Sequence, residues 1–169
     1  SDCRELMLEE PVDAIVTGPP YPGIYDYLSA ARLAGLQVAG ENCADIERPP
    51  FASEAPSPAL EIGAREAWRR LDLPSFLASF QTQQEEWLGA AHANLKVGGT
   101  ATLMIGDGDA HVGDAAKGAI DCLASTLAAA EATGFRIVAT ASIESTLSAG
   151  RRVKGRRRRE HMVHLRKEG

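Results

Sequence analysis

Two adjacent prolines followed by a tyrosine form the segment of this chain whose residue types best suit chemistry. The segment comprises Thr17, Gly18, Pro19, Pro20 and Tyr21. The prolines have no N–H to give to a β-ladder and each restricts the residue before it, so a stiff, extended loop is expected. Fixed backbone carbonyls beside the flat ring of the tyrosine suit the binding of a planar ring that carries an amino group. The alternative interpretation is a proline-rich turn that only ends a strand.

A buried β-strand is expected directly before this loop. Residues 14–16 read Ala-Ile-Val behind Asp13, and a short β-prone run bounded by breakers is more typical of a strand than of a helix. Ligands of open α/β sheets bind at the carboxyl ends of the strands. The loop at residues 17–21 is therefore predicted to lie at the functional edge of such a sheet.

The string from Val12 to Leu28 is similar to the Thr-Ser-Pro-Pro-Tyr branch of the S-adenosylmethionine-dependent amino-methyltransferases, which methylate the exocyclic amines of bases. In that family a side-chain oxygen and a proline carbonyl of the loop accept hydrogen bonds from the target amine. The tyrosine stacks on the flipped base, and the methyl group passes directly to nitrogen. The resemblance implies a catalytic role for residues 17–21, contact of Thr17 with S-adenosylmethionine, and contact of Tyr21 with nucleic acid. The implied reaction is methylation of adenine N6 or cytosine N4 in DNA.

Gly18 departs from the family's pattern, which has Asp, Asn or Ser before the two prolines. Glycine has no side chain, so one expected hydrogen-bond acceptor is missing. Either Thr17 or a backbone carbonyl takes its place, or the site is weakened or inactive. The loss of one hydrogen bond to a reacting amine costs a few kcal/mol of barrier, roughly a hundredfold or more in rate.

Three other functions stay open beside the methylation of DNA. Related enzymes use a similar loop to methylate bases in RNA. A small-molecule methyltransferase can have the same fold. The third is a degenerate, non-catalytic methyltransferase fold that binds nucleic acid or a partner subunit, and the missing side chain at Gly18 favours it.

The N-terminal string Ser-Asp-Cys-Arg-Glu-Leu, residues 1–6, is similar to the Gly-Asp-Ala-Arg-Glu-Leu type of string that precedes the catalytic strand in these methyltransferases. The aspartate of the family commonly lies near the adenine amine of the cofactor, so the resemblance assigns Asp2 to cofactor binding. The alternative for Asp2 is a place in a polar N-terminus without such a role.

The family's Phe-x-Gly-x-Gly string, which binds the methionine portion of the cofactor, is absent from the chain. The resemblance therefore implies an α/β fold of class I (Rossmann-like) methyltransferase type, present as its C-terminal half, with a reversed last strand. Residues 1–169 are expected to form one catalytic subdomain. The cofactor-binding half would lie upstream or on a partner chain, and the open sheet edge of a lone half predicts a homodimer or a swapped assembly.

Apolar periodicity and breakers predict the remaining elements. Prolines and polar residues mark a loop insertion over residues 37–71, and the string Glu61–Arg65 is similar to one in this branch, so part of the insertion is expected to fold over the site. The insertion either contacts target nucleic acid or acts as a lid without base contacts. Helices are predicted over 24–36, 72–95 and 114–132; the second is expected to be capped by Asp72 or Ser75, with Pro74 in its first turn. Strands are predicted over 100–105, 135–143 and 160–165. Glycine turns are predicted at 98–99 and 106–109.

The C-terminal region is strongly basic although the whole chain carries a net charge of −5. Residues 151–169 contain nine Lys and Arg against two Glu. The last two predicted strands are joined by a short loop and are expected to pair antiparallel, so residues 150–159 would be a hairpin tip. The basic residues of this tip are Arg151, Arg152, Lys154, Arg156, Arg157, Arg158 and Arg159. We interpret them as contacts to the phosphates of DNA or RNA; the alternative is a solvated run of charges.

Composition limits the other function classes. The chain has 169 residues, of which 44% are apolar, enough for one domain with a core. No apolar run approaches the roughly 18 residues of a membrane span and no signal peptide is visible, so a cytoplasmic protein without membrane partners is expected. Three scattered cysteines without Cys-x-x-Cys spacing, and four histidines that do not pair with them, argue against a metal site. His161 and His164 are expected on opposite faces of one strand.

Overall fold

The structure, a computed structural model, describes residues 2–23, 61–64, 71–112, 115–145 and 158–169. The helix predicted over 24–36, most of the insertion at 37–71 and the basic residues from Arg151 to Arg157 lie outside the described residues. The described elements are β1 (Val12–Thr17), α1 (Leu73–Ala93), β2 (Leu95–Gly106), β3 (Gly108–Val112), β4 (Ala115–Ile120), α2 (Cys122–Ala132), β5 (Phe135–Ser145) and β6 (Arg158–Lys167).

Four of the strands form a mixed sheet in the spatial order β1, β2, β6, β5. β1 is parallel to β2, whereas β6 runs antiparallel to both β2 and β5. The last strand of the chain therefore lies inside the sheet and in the reverse direction, and the predicted antiparallel pairing of the last two strands is confirmed. As a consequence β1 lies at one edge of this sheet, and the carboxyl ends of β1 and β2 lie side by side.

The long helix α1 begins as its sequence predicts. The Asp72 carboxylate accepts a hydrogen bond from the Ser75 N–H at 2.8 Å, and Pro74 lies in the first turn, where its missing N–H costs nothing. The helix ends at Ala93, two residues earlier than predicted, because Asn94 forms its C-terminal cap and the next residue already belongs to β2.

The glycine turn predicted at 98–99 lies inside β2 rather than before it. Gly98 has a φ of +81°, which favours glycine, and a Cβ at Gly99 would lie 2.8 Å from the carbonyl oxygen of Lys96. The pairing of β2 with β1 is irregular at this point. The two glycines therefore form a bulge in the strand and do not separate it from the helix.

A two-stranded hairpin replaces the first part of one predicted helix. The helix predicted over 114–132 begins at Cys122, and β4 pairs antiparallel with β3. Asp121 explains this start, because its carboxylate accepts a hydrogen bond from the Ala124 N–H at 2.9 Å and caps the helix. The turn predicted at 106–109 is also wrong in its extent, since β3 already begins at Gly108.

One face of the four-stranded sheet is buried under α1 and α2. The buried cluster includes Ala101, Leu103, Ile105, Val163 and Leu165 of the sheet and Phe76, Phe80, Leu88, Ala129 and Ala130 of the helices. The other face is more open, and the side chains of Val16, Met104 and Met162 there are 81%, 51% and 49% exposed. No helix among the described residues is long and apolar enough to span a membrane.

The two strand histidines lie on opposite faces of β6, as predicted. His161 is buried on the helix-covered face, and its Nδ1 is 2.7 Å from the hydroxyl of Ser142. His164 lies on the other face, where its Nδ1 is 2.9 Å from the hydroxyl of Thr102. Within the described ranges, no group of three or more His, Cys, Asp or Glu side chains is arranged to hold a metal ion.

Candidate functional site

The double-proline loop leaves the sheet where β1 ends. Thr17 is the last residue of β1 and pairs with Leu103, so the loop starts beside the carboxyl-terminal part of β2. Pro19 is buried, whereas Pro20 and Tyr21 are half-buried. The predicted strand and the predicted position of the loop at its carboxyl end are therefore confirmed, but the expectation that this strand is buried is wrong, because β1 lies at the edge of the sheet and none of its six residues is buried.

Gly18 is not required by the packing or the backbone conformation of this loop. It is exposed, and its φ lies outside the left-handed region. The nearest atom to an added Cβ would be the carbonyl oxygen of Met104 at 3.6 Å, which is an ordinary contact. The missing side chain at this position is therefore a chemical feature of the loop and not a steric one.

Three other glycines, by contrast, make room for the loop. A Cβ at Gly106 would lie 2.7 Å from a carbon of the Tyr21 ring, and a Cβ at Gly108 would lie 2.5 Å from the carbonyl oxygen of Pro22. A Cβ at Gly63 would lie 2.9 Å from two carbons of Pro22. Real Cβ contacts essentially never come this close, so the Tyr-Pro part of the loop packs where β2 ends only because these positions have no side chain.

Residues 61–64 hold the loop from the other side. The Gly23 N–H donates to the carbonyl oxygen of Gly63 at 2.9 Å, and the Gly63 N–H donates to Oε1 of Gln83 on α1 at 2.8 Å. Ile62 is buried and lines the pocket described next. Residues 61–64, which belong to the predicted insertion, therefore pack against the end of the loop, and the role of the insertion stays a prediction.

An apolar pocket of about 300 Å³ lies beside the first part of the loop. Its walls come from the N-terminal segment, from β1, from residues 17–20 of the loop, and from Trp87 and its neighbours on α1. The Trp87 indole N–H already donates to Gln84 Oε1 at 2.6 Å. Among the described lining residues, the polar side-chain groups left for a ligand are the hydroxyl of Thr17 and the thiol of Cys3, whose pKa is raised by partial burial.

Asn94 fixes the N-terminal wall of this pocket. Its Oδ1 accepts a hydrogen bond from the Leu8 N–H at 2.7 Å, and its Nδ2 donates to the carbonyl oxygens of Leu6 and Ala90 at 2.7 and 2.8 Å. Its own carbonyl accepts from the Val12 N–H at 2.8 Å. Sequence reasoning missed this residue because its partners are up to 88 positions away, and a single Asn between a helix and a strand predicts only a cap.

Replacement of Asn94 by alanine is expected to lower the free energy of unfolding by about 2 kcal/mol, because three buried or half-buried hydrogen bonds lose one partner. Urea denaturation measures the change. Thr82→Ala, at an exposed position of the same helix, serves as the matched control and is expected to stay within about 0.5 kcal/mol of the native chain. Equal stability of the two variants would contradict the role given to Asn94.

Asp2, the residue assigned by resemblance to cofactor binding, forms an ion pair within the N-terminal segment. Its Oδ1 accepts from the N–H and the Nε–H of Arg4, both at 3.0 Å, and Arg4 also lies 3.6 Å from Glu86. The hydrogen bonds from Arg4 hold the pKa of the Asp2 carboxyl below its usual value. Asp2 lies next in sequence to the pocket-lining Cys3, and its cofactor contact stays a prediction.

Asp107, which follows β2, contacts three residues from two later elements, α2 and β6. Its Oδ1 lies 3.2 Å from His161 Nε2 and 3.3 Å from the Cys122 N–H at the start of α2, and its Oδ2 accepts from Arg159 Nε at 3.0 Å. The backbone N–H of Asp107 donates to the Arg159 carbonyl at 3.0 Å. The Gly-Asp-Gly string was the available signal, but its partners lie 15 to 54 residues away and sequence alone did not show them.

The predicted nucleic-acid contacts divide into two groups. Arg151, Arg152, Lys154, Arg156 and Arg157 lie outside the described residues, and their phosphate contacts stay a prediction. Arg158 and Arg159 are the first two residues of β6, so the predicted hairpin tip at 150–159 ends two residues too late.

Arg159 faces carboxylates of its own chain. Besides its contact with Asp107, its guanidinium lies 3.9 Å from Asp121, and about half of its side chain is exposed. This charge is therefore already paired in the described structure.

No family model and no curated protein matches the chain. Among solved structures, it is similar to a Thermus thermophilus protein proposed to be a DNA modification methylase. The crystal structure of that protein with S-adenosyl-L-methionine matches with a TM-score of 0.54 and 15% identity, over 99% of this chain and 51% of the other. Its selenomethionine derivative matches with a TM-score of 0.50 and 17% identity, over 99% and 52%.

The present chain therefore spans about half the length of those structures. The antibiotic-resistance methyltransferase Kmr matches over 95% of this chain and 89% of its own, at 17% identity and with a TM-score of only 0.33. At these identities the likeness shows the fold alone, which is a mixed α/β sheet of four strands with two helices similar to that of the Thermus thermophilus protein.

Proposed function

We propose that this chain is the C-terminal catalytic half of an S-adenosylmethionine-dependent amino-methyltransferase of the (Asp/Asn/Ser)-Pro-Pro-Tyr type. One observation carries the proposal: the Thr17–Tyr21 loop follows an edge strand at its carboxyl end, beside an apolar pocket, in a sheet whose reversed last strand lies inside it. The fold likeness to the Thermus thermophilus protein, which is itself bound to S-adenosyl-L-methionine, supports the same assignment.

The proposed substrate is a base in DNA, with methylation at adenine N6 or cytosine N4. The amine approaches the loop, where the backbone carbonyl of Pro19 accepts one of its hydrogen bonds and the Thr17 hydroxyl is only a weak substitute for the side-chain acceptor that Gly18 lacks. These hydrogen bonds orient the nitrogen lone pair for attack. Tyr21 supplies a flat surface for the base, which has to leave the duplex stack to be reached. A base in RNA offers the same amine and the same stacking surface, and it is the alternative substrate.

When bound, S-adenosylmethionine supplies a methyl group on a positively charged sulfur. The described pocket fits the adenine portion of this cofactor, because its walls are apolar, its volume is about 300 Å³ and it borders the loop. The polar groups that we assign to it are the hydroxyl of Thr17, which lines the pocket, and the carboxylate of Asp2, which is next in sequence to the pocket-lining Cys3. None of the described lining residues is charged, so this pocket does not account for the methionine portion.

The partner proposed for this half is a cofactor-binding half, upstream in the same protein or on another chain. β1 is an edge strand of the described sheet, and Val16 in it is 81% exposed. Among the described strands β1 pairs only with β2, and an edge strand of this kind can pair with another strand on its outer side. Pairing between two copies of the chain is the alternative, and sedimentation at high concentration distinguishes a dimer from a monomer.

A non-catalytic, degenerate form of this fold is the second candidate function, favoured by the missing side chain at Gly18 and by the uncharged pocket. Calorimetric titration of S-adenosylmethionine into this chain and into an upstream-extended form, followed by transfer of labelled methyl groups to DNA and RNA, separates the candidates. We expect binding and transfer by the extended form at least. Absence of both in both forms would overturn the enzymatic proposal.

The basic residues that precede β6 are expected to contact phosphates. An Arg156→Glu, Arg157→Glu double variant should reduce the slope of log K against log salt concentration by about 2, since each of the two arginines would neutralise one phosphate. Fluorescence anisotropy with a labelled oligonucleotide at several salt concentrations measures the slope. Lys96→Glu with Arg136→Glu, both in exposed ion pairs elsewhere, changes the net charge equally and is the control. Equal slopes for the two double variants would exclude a local phosphate contact.

A further inference from the structure

We propose that Gly106 and Asp107 are positioning residues for Tyr21. The ring of Tyr21 packs on the backbone of Gly106, which we call the seat. The side chain of Asp107 fixes this seat by its contacts with β6 and α2. The proposal rests on the proposed function, because the role of the tyrosine as a stacking surface for the base comes from there. The seat itself rests on the described contacts alone.

The contact between Gly106 and Tyr21 is the first observation. A Cβ at Gly106 would lie 2.7, 2.9 and 3.1 Å from three consecutive carbons of the tyrosine ring. Gly106 is buried and its φ lies outside the left-handed region, so the backbone conformation does not demand glycine. Glycine is required here because the Tyr21 ring occupies the space that a side chain at position 106 would fill.

The residue after Tyr21 is confined from two sides. Gly108 meets the carbonyl oxygen of Pro22, and Gly63 meets its ring, both closer than a side chain allows. Pro22 is buried and its φ is fixed by its own ring. Since the backbone cannot slide at this proline, the direction of the tyrosine depends on the surface that its ring touches at Gly106.

Asp107 stabilises that surface. A Gly-Asp-Gly string has little stiffness of its own, since glycine backbones are permissive. The Asp107 side chain is only 16% exposed and contacts Arg159, the fully buried His161 and the first N–H of α2, while its own N–H donates to the Arg159 carbonyl. The end of β2 is thereby held to β6 and to the start of α2.

A double-mutant cycle tests the proposal in whichever form transfers methyl groups. Gly106→Ala is expected to lower kcat/KM for oligonucleotide methylation about tenfold or more and to leave S-adenosylmethionine affinity within twofold. In a Tyr21→Ala background, where the ring is gone, the same change is expected to alter kcat/KM less than twofold. Gly89→Ala adds the same methyl group on α1, where the nearest atom would be 3.8 Å away, and is the control.

A second readout is independent of activity. With ¹³C-labelled tyrosine, the Tyr21 ring resonance, assigned by Tyr21→Leu, is expected to shift in Gly106→Ala and in Asp107→Asn but not in Gly89→Ala. The proposal would be overturned if the Tyr21 resonance did not move in Gly106→Ala. It would also be overturned if the effects of Gly106→Ala and Tyr21→Ala on kcat/KM were simply multiplicative in the double variant. A moved resonance in a protein that neither methylates nor binds oligonucleotides would support the seat and refute the proposed function.

Discussion

A Gly18→Ser variant is expected to transfer methyl groups roughly a hundredfold faster than the native chain, if the amine is the proposed substrate. Serine places a hydroxyl oxygen next to the carbonyls of the double-proline loop, where the native residue offers no side-chain acceptor. The site tolerates the change, because Gly18 is exposed, has an ordinary φ, and an added Cβ would meet only the Met104 carbonyl oxygen at 3.6 Å.

The magnitude follows from the cost of an unmatched N–H in a reacting amine. A preorganised hydrogen bond to a group that changes charge in the transition state contributes about 3 kcal/mol, which corresponds to the hundredfold expected. Single-turnover methylation of an oligonucleotide at saturating cofactor measures the chemical step. The control is Gly18→Ala, which adds the same Cβ without an oxygen and is expected to give no gain.

The outcomes of this comparison separate the two accounts of the native site. A gain with serine but not with alanine means that the native loop lacks one acceptor. Equal rates in the native and serine forms of an active enzyme would mean that the Thr17 hydroxyl or a backbone carbonyl already fills this role. That result would contradict the view that position 18 weakens the site.

Local signals account for what the sequence predicted correctly. The start of α1 is determined within four residues by the Asp72 carboxylate and the Ser75 N–H, and both are visible in the sequence. The loop after β1 is equally local, because the geometry of proline does not depend on its surroundings. The antiparallel pairing of β5 and β6 follows from the short connection between two strands.

The hairpin formed by β3 and β4 could not be predicted in the same way. Its second strand reads Ala-Ala-Lys-Gly-Ala-Ile, and alanine-rich strings favour helices when considered alone. Pairing with β3 overrides this preference, and Asp121 moves the helix start to Cys122. The contacts of Asp107 were even less predictable from the sequence. Its carboxylate contacts residues of two later elements, and no sequence periodicity relates them to Asp107.

The glycines show most directly what the sequence alone cannot predict. In the sequence, Gly18 stood out because it departs from a family pattern, whereas Gly106 and Gly108 marked only a predicted turn and Gly63 was only part of a similar string. The structure reverses their steric importance: Gly18 has room for a side chain, whereas the other three lie against Tyr21 or Pro22. Which glycine is needed for packing depends on a neighbour that is distant in sequence.

The free energy of unfolding of the chain is expected to fall steeply as the pH rises, because the thiol of Cys122 is buried. The N–H of the same residue donates to Asp107. Burial raises the pKa of the Cys122 thiol from 9.0 to about 12. Between these values the unfolded chain loses the thiol proton while the folded chain keeps it, so deprotonation favours unfolding. Stability from this group is complete below pH 9 and declines by about 1.4 kcal/mol per pH unit above it, or on the order of 4 kcal/mol by pH 12.

Urea denaturation at pH 8, 9, 10 and 11 under reducing conditions measures this decline in the native chain and in Cys122→Ala. Lysine and tyrosine titrations are common to both proteins, so the difference between the two curves isolates the thiol. The native chain is expected to lose roughly 2 kcal/mol more than the variant between pH 9 and 11. Thr82→Ala, at an exposed position of α1 and without loss of a titratable group, should run parallel to the native curve. Parallel curves for the native chain and Cys122→Ala would mean that solvent reaches the Cys122 thiol in the folded chain, and that the start of α2 is not buried as described.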